Sequence, residues 1–467
     1  MFKNKKFARY AVAFCILGIL FNFMYSGLQN DQINIIQGFS AWKNSLTQLP
    51  ITIGNFVCIV LTFVYGTLFI KFGVRKTLIP CIIVCAAGCL GIAAAGGLAV
   101  TSGAELASAT AGAVGTYWLY FISLFVIRCG CMCFQMAGFQ LAASWFIRYR
   151  GRILGWVTLG SPLFSVVGTS GMTTLISKYM GGDYRPFYVG VAVVLVIIII
   201  LVRLFIRDFP EDVGLYPDGA ETAPKSESAD DVVNLTVKQV LTQKKSWVLI
   251  LSFAAFMWVI NCCMASMVSW FTWLCMSNVD AVSSGPLAEM YAGMSAGGAG
   301  AMTLFVGQAS KWLSVGALLG IPLSFLFGVI DDKLGTPIAC VILGICCCVP
   351  AIGLVSQASS VAATGSCNVP MLVVWGIGVA CMTGGVPTMN PASISFMFGR
   401  REYQSANRVI MALQLVPCSI AATVMMSLIQ SGHGVGAWIS VIIVAIVGTI
   451  CCLPMLKMTD ANAADRG

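Results

Sequence analysis

The chain has 467 residues, of which 58% are hydrophobic and 10% are charged. Soluble domains carry about 25% charged residues, so this composition excludes a soluble globular protein and indicates a polytopic membrane protein. The net charge of +9 is better explained by membrane orientation than by nucleic-acid binding.

The apolar stretches between charged residues predict twelve membrane-spanning helices, numbered here as spans 1–12 in chain order. A helix needs roughly 20 apolar residues to cross about 30 Å of hydrocarbon. Seven uncharged stretches hold one span each, at 10–30, 44–70, 77–104, 153–177, 186–202, 246–279 and 312–330. Another span lies near Tyr117 to Phe146, around Arg128. The uncharged stretches 334–399 and 409–456 are long enough for two spans each.

The stretch 291–310 is also long enough to cross a membrane, but Gly, Ala and Ser dominate it. With twelve spans and a cytoplasmic N-terminus, 22 of the 27 Lys and Arg residues face the cytoplasm, as the positive-inside rule requires. A thirteenth span would move Lys333 and the cluster at Arg400 outside. We therefore predict an external loop over 278–310, both termini in the cytoplasm, and a multi-pass plasma-membrane protein.

A single long charged segment divides the spans six and six. It covers residues 207–245, holds eight of the eighteen acidic residues and is rich in Pro, Gly and Ser, which is typical of a linker. We predict an N-terminal six-helix bundle over 1–206, a cytoplasmic linker over 207–245, and a C-terminal six-helix bundle with a short cytoplasmic tail over 246–467.

The two halves carry related loops. "GTLFIKFGVRK" begins at Gly66 between spans 2 and 3, and "GVIDDKLGTP" begins at Gly328 between spans 8 and 9. Gly73 and Gly335 keep the same spacing in the two copies. Halves related in parallel indicate an alternating-access transporter with its binding site near the midplane.

These loops resemble those of the major facilitator superfamily, in which the loop after span 2 reads Gly-x-x-x-Asp-(Arg/Lys)-x-Gly-x-(Arg/Lys). The resemblance implies an all-α fold of twelve helices in two six-helix bundles, with a conformational latch in these loops. Ile70 stands where the motif has aspartate, which puts the first half of the latch in doubt. The predicted latch residues are Gly66, Lys71, Gly73, Arg75, Asp332, Lys333 and Gly335.

Within the superfamily, "WFIRYRGRILG" from Trp145 and "PEDVGLYPDG" from Pro210 are similar to the oxalate/formate antiporter and monocarboxylate transporter branch. That branch commonly carries a cation in span 8, about eight positions before the loop aspartate. Ser324 occupies this place, so simple dicarboxylate exchange is disfavoured.

Arg128 is the charge that lies deepest in a predicted span. A charge there is costly unless it faces protein or water, so we predict a counter-ion for an anionic substrate or an electrostatic partner in coupling. The alternative is a structural arginine that donates hydrogen bonds to helix carbonyls. Spans 1, 4, 7 and 10 line the cavity in the resembled family. The other predicted substrate contacts are Asn22, Tyr25, Asn261, Asn390 and Lys311, for which interhelical hydrogen bonding or, for Lys311, interfacial anchoring is the alternative.

Asp31 is the acidic residue nearest the first bundle's cavity, and burial would raise its pKa enough for proton coupling; the alternative is a solvated interfacial carboxylate. Span 7 contains Trp258, Trp270 and Trp273, whose rings are suited to line a cavity for an apolar or aromatic substrate. Trp270 and Trp273 are equally suited to an aromatic belt at the external membrane surface. The twenty cysteines lie mostly in apolar stretches, which favours core packing over disulfides or metal ligation.

We expect a secondary transporter of a small organic anion, a monocarboxylate-like metabolite, working by proton symport or by exchange. The alternatives are an exporter of larger amphipathic or aromatic compounds and a transport-dead membrane sensor. The sequence shows no catalytic constellation and no nucleotide-binding glycine loop, so no enzyme, cofactor or metal is predicted. The expected partners are the small-molecule substrate, protons and the lipid bilayer, and no nucleic acid is expected to bind. We expect the protein to be a monomer.

Overall fold

The computed structural model describes residues 5–28, 44–95, 114–164, 175–180, 183–220, 235–266, 299–365 and 367–461, together with residue 172 and short pieces between 270 and 281. Within these residues the secondary structure is helical throughout. Ten of the described helices are long and apolar enough to cross a membrane. They are Lys5–Ser26, Ile53–Phe72, Val74–Ala95, Tyr117–Trp145, Arg185–Phe205, Lys244–Met264, Thr336–Thr364, Val369–Arg400, Glu402–Ile429 and Gly434–Lys457.

These ten helices are spans 1–4, 6, 7 and 9–12, and the other two predicted spans are also helical where they are described. Span 5 contains the helices Arg150–Thr158 and Gly160–Leu163 and a π-helical turn at Leu175–Tyr179. Pro162 has no N–H to donate to the carbonyl four residues earlier, which weakens the helix there. The predicted twelve-helix, all-α fold is confirmed.

Span 8 begins earlier than the sequence pattern predicts. Its helix is Ala299–Leu334, with Pro322 inside it, so the predicted external loop over 278–310 is wrong from Ala299 onward. Alanine has the highest helix propensity, and a low apolar content argues against crossing a membrane but not against forming a helix. Lys311 therefore lies inside this helix instead of opening it.

Spans 10 and 11 follow each other with almost no loop. One helical run covers Val369–Gln430, but Gly399 breaks it with φ 70° and ψ 176°. Glycine tolerates this backbone conformation because it has no Cβ. The direction of the chain therefore changes at Gly399, directly before the basic pair at residues 400 and 401.

The chain forms two compact units. Unit 1 contains Met1–Val240, Ile394–Ala412 and Asp460–Gly467, and unit 2 contains Leu241–Ser393 and Leu413–Thr459. The division after Val240 falls inside the predicted linker. Residues 394–412 belong to unit 1 although the chain on either side of them belongs to unit 2.

Glycines allow the helices of unit 1 to approach one another closely. A Cβ on Gly130 of span 4 would lie 2.6 Å from the sulfur of Cys85 in span 3. A Cβ on Gly160 of span 5 would overlap the backbone of span 1 at Ile19 and Phe23. Small residues permit such backbone contacts between helices in a membrane, where packing is the main attractive force.

Unit 2 uses the same kind of contact. A Cβ on Gly384 of span 10 would lie 2.6 Å from the backbone nitrogen of Ser324 in span 8. A Cβ on Gly448 of span 12 would lie 2.7 Å from the Cβ of Ala255 in span 7. Close packing of spans 8 and 10 sets the space available around Ser324.

Candidate functional site

Arg128 lies near the middle of the span 4 helix Val114–Trp145 and is 6% exposed. Its Nε donates a hydrogen bond to Oδ1 of Asn55 in span 2 (2.9 Å), and its Nη2 donates to the same oxygen. Gly54 makes room for the arginine stem, because a Cβ there would lie 2.6 Å from Cγ of Arg128. Asn55 carries no charge, so this contact orients the guanidinium without cancelling its charge.

Asn22 and Tyr25, the predicted contacts in span 1, differ in their surroundings. Asn22 is 1% exposed, and its Nδ2 donates to the carbonyl of Gly18 at 3.3 Å. The hydroxyl of Ser161 in span 5 donates to the carbonyl of Asn22 at 3.4 Å. Tyr25 is half-buried. Asn22 thus takes part in the crossing of spans 1 and 5.

Asn390 of span 10 forms a reciprocal amide pair with Gln414 of span 11. Its Nδ2 donates to Oε1 of Gln414 (2.8 Å), and Nε2 of Gln414 donates back to Oδ1 of Asn390 (3.3 Å). The same Nε2 donates to the carbonyl of Leu249 in span 7 at 3.0 Å. Both side chains are buried, and together they connect three spans of unit 2.

Asn261 in span 7 contacts span 11 through Cys418. Its Nδ2 donates to the sulfur of Cys418 and to the carbonyl oxygen of the same residue, the latter at 3.5 Å. Asn261 is half-buried. The structure therefore places Asn261 and Asn390 in unit 2 and Arg128, Asn22 and Tyr25 in unit 1.

Ser324 occupies the position of the cation found in the resembled branch. It is fully buried, and its hydroxyl lies 3.2 Å from that of Thr388 in span 10. Gly384 also packs against its backbone. A small hydroxyl residue suits this closely packed contact between spans 8 and 10.

Two predicted site residues cannot be placed. Asp31, the predicted coupling acid, lies outside the described residues. Lys311 lies on the span 8 helix, but its side chain is outside the described part. The coupling role of Asp31 and the substrate contact of Lys311 remain predictions from sequence.

The tryptophans of span 7 pack against one another and against span 12. The rings of Trp270 and Trp273 stack with centroids 5.1 Å apart and planes 13° apart, and Trp438 meets Trp270 edge-on at 6.0 Å. Trp270 is fully buried, so it does not belong to a lipid-facing aromatic belt. Trp258 is half-buried.

The loop after span 2 contains the first copy of the predicted latch. Gly73 adopts φ +82°, and a Cβ there would overlap the carboxylate of Asp208. The backbone nitrogens of Val74 and Arg75 donate to Oδ1 of Asp208 at 2.7 Å and 3.2 Å. Lys71 is exposed. A carboxylate that follows span 6 therefore binds this loop, in which Ile70 replaces the motif's own aspartate.

Gly66 contacts a different part of unit 1. A Cβ there would overlap the Cβ of Arg408, and the carbonyl of Gly66 accepts a hydrogen bond from Nε2 of Gln404 at 3.4 Å. In the second copy, Gly335 repeats the turn of Gly73 with φ +89°. Asp332 there is half-buried and Lys333 is exposed.

Residues 207–220, which we call the strap, pack on unit 1. The carbonyl of Arg207 accepts from the indole of Trp145 (3.0 Å), and that of Val213 accepts from the ammonium of Lys6 (2.8 Å). Oδ2 of Asp218 accepts from the backbone nitrogens of Ile147 and Arg148 at 3.0 Å and 2.7 Å. The sequence indicated only a linker here; the high share of acids beside basic loops was the available signal.

Burial changes the acidity of two strap carboxylates. Desolvation raises the pKa of Asp208 above its ordinary value, against the lowering effect of the hydrogen bonds from Arg75 and Val74. The pKa of Asp218 is raised for the same reason, against the backbone hydrogen bonds from Arg148 and Ile147. A buried carboxylate is harder to ionise because it loses its hydration.

Residues 394–412 bind to the same end of unit 1 as the strap. Nη2 of Arg400 donates to Oε1 of Glu211 in an ion pair of 2.6 Å, and Nη1 donates to the carbonyl of Ser144 at 3.1 Å. Nη1 of Arg150 donates to Oγ of Ser395 at 3.0 Å. Sequence reasoning missed Glu211 and Asn55, because only the fold brings them to Arg400 and Arg128.

Nineteen of the twenty cysteines lie in the part of the chain that is described. The cysteines in this part are all free, and no group of three or more potential ligand side chains occurs among the described residues. The cysteines lie mainly in helix contacts, as the apolar sequence around them indicates.

Three solved structures of transporters have a fold similar to that of this chain. The chain matches the proton:xylose symporter XylE bound to 6-bromo-6-deoxy-D-glucose with a TM-score of 0.63 at 12% identity, covering 97% of this chain and 96% of that one. It matches the transporter FucP in its outward conformation with a TM-score of 0.60 at 15% identity, covering 95% and 97%. A variant of FucP, the fucose:proton symporter of E. coli, gives 0.59 at 16% identity, covering 95% and 98%.

At these identities the likeness shows the fold alone. No curated protein matches the chain in a search by sequence. The sequence profile of the Major Facilitator Superfamily, however, matches residues 6–422, which is most of the chain. Together with the helical architecture, this match shows that the chain belongs to the Major Facilitator Superfamily of membrane transporters.

Proposed function

We propose that this protein is a secondary active transporter of a small organic anion, a monocarboxylate-like metabolite, working by alternating access. Membership of the superfamily supports secondary transport and argues against an enzyme. The anionic substrate is our inference from Arg128. The proposed mode of transport is proton symport or exchange. The same proposal includes a monomer in the plasma membrane with both termini in the cytoplasm.

Arg128 is the observation that carries the anionic substrate. It is a permanent cation at mid-span and 6% exposed, where maintaining a charge is costly. Two of its N–H groups bind the neutral side chain of Asn55, which fixes the direction of the guanidinium. A carboxylate suits such a group because charge-assisted hydrogen bonds are roughly twice as strong as neutral ones.

The other residues predicted to contact substrate would have to exchange a hydrogen-bond partner within the protein for the substrate. Asn390 is paired with Gln414 and Asn261 with Cys418, so a substrate would replace one of these hydrogen bonds. Asn22 and Tyr25 on span 1, Lys311 on span 8 and the coupling role of Asp31 complete the proposed site. The conformational latch is proposed to involve Gly66, Lys71, Gly73, Arg75, Asp332, Lys333 and Gly335.

Proton coupling has support from the structural neighbours, whose names describe proton symporters of xylose and fucose. Export of larger aromatic compounds has less support, because Trp270 is already buried against Trp273 and Trp438. A neutral sugar is the competing substrate, and uptake measurements must distinguish its transport from that of an organic acid.

The test compares uptake of labelled monocarboxylates and neutral sugars by proteoliposomes containing wild type, Arg128→Ala or Asn55→Asp. Asn55→Asp places a carboxylate beside the guanidinium of Arg128 and leaves the size of the side chain at position 55 almost unchanged. We expect both variants to reduce anion uptake roughly tenfold or more, since a hydrogen bond to a charged group is worth about 1.5–3 kcal/mol.

Asn368→Asp is the matched control, because Asn368 caps the span 10 helix through its side-chain oxygen and aspartate caps equally well. Uptake by this variant should equal that of wild type. Normal anion uptake by folded Arg128→Ala, or uptake of sugars but not acids by wild type, would overturn the anionic substrate. Accumulation driven by a pH gradient alone indicates symport, whereas a requirement for internal substrate indicates exchange.

A further inference from the structure

The carbonyl oxygen of Leu249 in span 7 fixes the orientation of the Gln414 amide in span 11. A carbonyl accepts hydrogen bonds and cannot donate them, so the atom of Gln414 that lies 3.0 Å from it must be the nitrogen Nε2. A flipped amide would place two oxygens together in a fully buried position, which is costly. The oxygen Oε1 of Gln414 therefore faces Asn390 in span 10, at 2.8 Å.

The orientation of Asn390 follows from that of Gln414. Oε1 of Gln414 only accepts hydrogen bonds, so its partner on Asn390 must be Nδ2. Nε2 of Gln414 carries two hydrogens, one for the carbonyl of Leu249 and one for Oδ1 of Asn390 at 3.3 Å. A flip of Asn390 alone would bring like atoms together on both sides of the pair. Since both hydrogens of Nε2 are used, Nδ2 of Asn390 is the donor in this network that a substrate can take over.

Two prolines flank Asn390 in span 10. Pro387 and Pro391 lie inside the helical run Val369–Gln430. Pro391 has no N–H to donate to the carbonyl four residues earlier, which belongs to Pro387. The turn that contains Asn390 therefore lacks one backbone hydrogen bond. Proline-interrupted helices are typical of substrate sites in transporters, which supports a role for Asn390 beyond the contact between helices.

We propose that Gln414 is a positioning residue that makes the part of the substrate site in unit 2 selective for a carboxylate. This inference rests on the organic-anion transport proposed above, and Leu249, Asn390 and Gln414 all belong to unit 2. Held by Gln414, Asn390 offers its nitrogen to the substrate and not its oxygen. A carboxylate only accepts hydrogen bonds, so it replaces Oε1 of Gln414 at Nδ2, while the bond from Nε2 to Oδ1 keeps Asn390 in place.

The experiment compares a monocarboxylate with its primary amide, which has nearly the same shape, in proteoliposomes. The acid is the one that wild type takes up fastest, and the measured quantities are KM and Vmax for its uptake and the inhibition constant of the amide. Gln414→Met removes the polar atoms that orient Asn390 and keeps the length of the side chain. Asn390 can then present either end of its amide group, and an amide ligand can use both ends whereas a carboxylate can use only the nitrogen.

In Gln414→Met we expect KM for the acid to rise roughly tenfold, because a hydrogen bond to a charged group is lost or misdirected. Vmax and the inhibition constant of the amide should change by less than about twofold, as expected when only binding of the acid is weakened. The variant should thus lose most of its preference for the acid over the amide.

A second variant and a matched control exclude a general loss of stability. Gln414→Glu keeps the size of the side chain but lacks the amide N–H groups, so it should also weaken the preference for the acid, and it decides the question if Gln414→Met fails to fold. Gln357→Met is the control. Gln357 is a fully buried glutamine of unit 2, and like Gln414 it makes three hydrogen bonds with described residues, here Gly353 and Asn368. Its loss should lower the unfolding temperature and leave the preference for the acid unchanged.

An unchanged preference for the acid in a folded Gln414 variant would overturn the positioning role, and so would an equal loss of preference in Gln357→Met. The proposed function would still stand in that case, because wild type takes up the acid. If wild type takes up no monocarboxylate, the proposed function itself is overturned, and the role of Gln414 with it. Uptake by wild type therefore distinguishes the two failures.

Discussion

The carboxylate of Asp208 joins parts of the chain that are more than 130 residues apart in sequence. It accepts two hydrogen bonds from backbone nitrogens at the start of span 3, which otherwise have no helical partner. This is the role of an N-cap side chain, performed by a residue from the strap. The position of Gly73, which has no Cβ, allows the carboxylate to come this close.

Asp208 should also make stability depend on pH. Its folded-state pKa is raised above the ordinary value of 3.8, so protonation favours the folded state. This contribution is fully present below the unfolded pKa and is lost as pH rises through the raised pKa. Asp208→Asn keeps an acceptor for the two backbone nitrogens but cannot ionise, so it should remove this dependence.

The measurement is the thermal unfolding temperature between about pH 4 and pH 7. We expect the wild type to lose more stability than Asp208→Asn as the pH rises across this interval. Asp208→Ala lacks the acceptor and should be less stable than both at every pH, by about 1 kcal/mol. A steeper pH dependence in Asp208→Asn than in wild type would contradict the burial of a costly carboxylate.

At the scale of helices, the contact between spans 1 and 5 depends on the absence of a side chain at Gly160. A Cβ there would meet backbone atoms of Ile19 and Phe23, which cannot rotate away as a side chain can. Span 5 is interrupted directly before this contact, at Leu159 between the helices Arg150–Thr158 and Gly160–Leu163. Only the packing identifies the helix that Gly160 approaches.

Gly160→Ala should therefore destabilise the protein by about 1–3 kcal/mol, as expected for overpacking. Gly190→Ala in span 6 is the matched control, because no atom lies within 4 Å of a Cβ at that position. It should be neutral or slightly stabilising, since alanine favours helix more than glycine does. Thermal unfolding of the two purified variants checks this prediction, and equal stability would refute the tight crossing.

At the scale of the whole molecule, the distribution of basic residues predicts orientation. Twelve spans with a cytoplasmic N-terminus place the loop at Lys333 inside and the turn at Gly365 outside. The early start of span 8 at Ala299 lengthens that helix without adding a span, because residues 299–310 continue into it. The orientation therefore does not depend on where span 8 begins.

Reporter fusions test the orientation. Green fluorescent protein fused after Leu334 should fluoresce, since it folds in the cytoplasm, and alkaline phosphatase fused after Gly365 should be active, since it requires the outside. The reverse pattern at 334 and 365 would require an odd number of additional spans before them.

The candidate site was predictable from sequence in part. Arg128 stands out because charge is scarce in spans, and Asn22 and Asn390 because amides are unusual there. Glu211, which binds Arg400, could not be found this way, because it resembles the other acidic residues of the linker. Asn55, which binds Arg128, is an amide inside span 2 and carries the same signal as Asn22, but span 2 is not among the spans that line the cavity in the resembled family. The start of span 8 was missed because apolar content measures membrane crossing and not helix formation.

The sequence by itself determined the membrane environment, the number of spans and the repeat of the two loops, because these depend on local hydrophobicity and spacing. The tertiary structure decided which carboxylate binds which loop, that the strap packs on unit 1, and that residues 394–412 belong to that unit. These features are contacts between residues that are 62 to 341 positions apart, and local patterns carry no information about them. The scarcity of charged residues in the spans thus marks Arg128 as a candidate, while the fold identifies its partner Asn55.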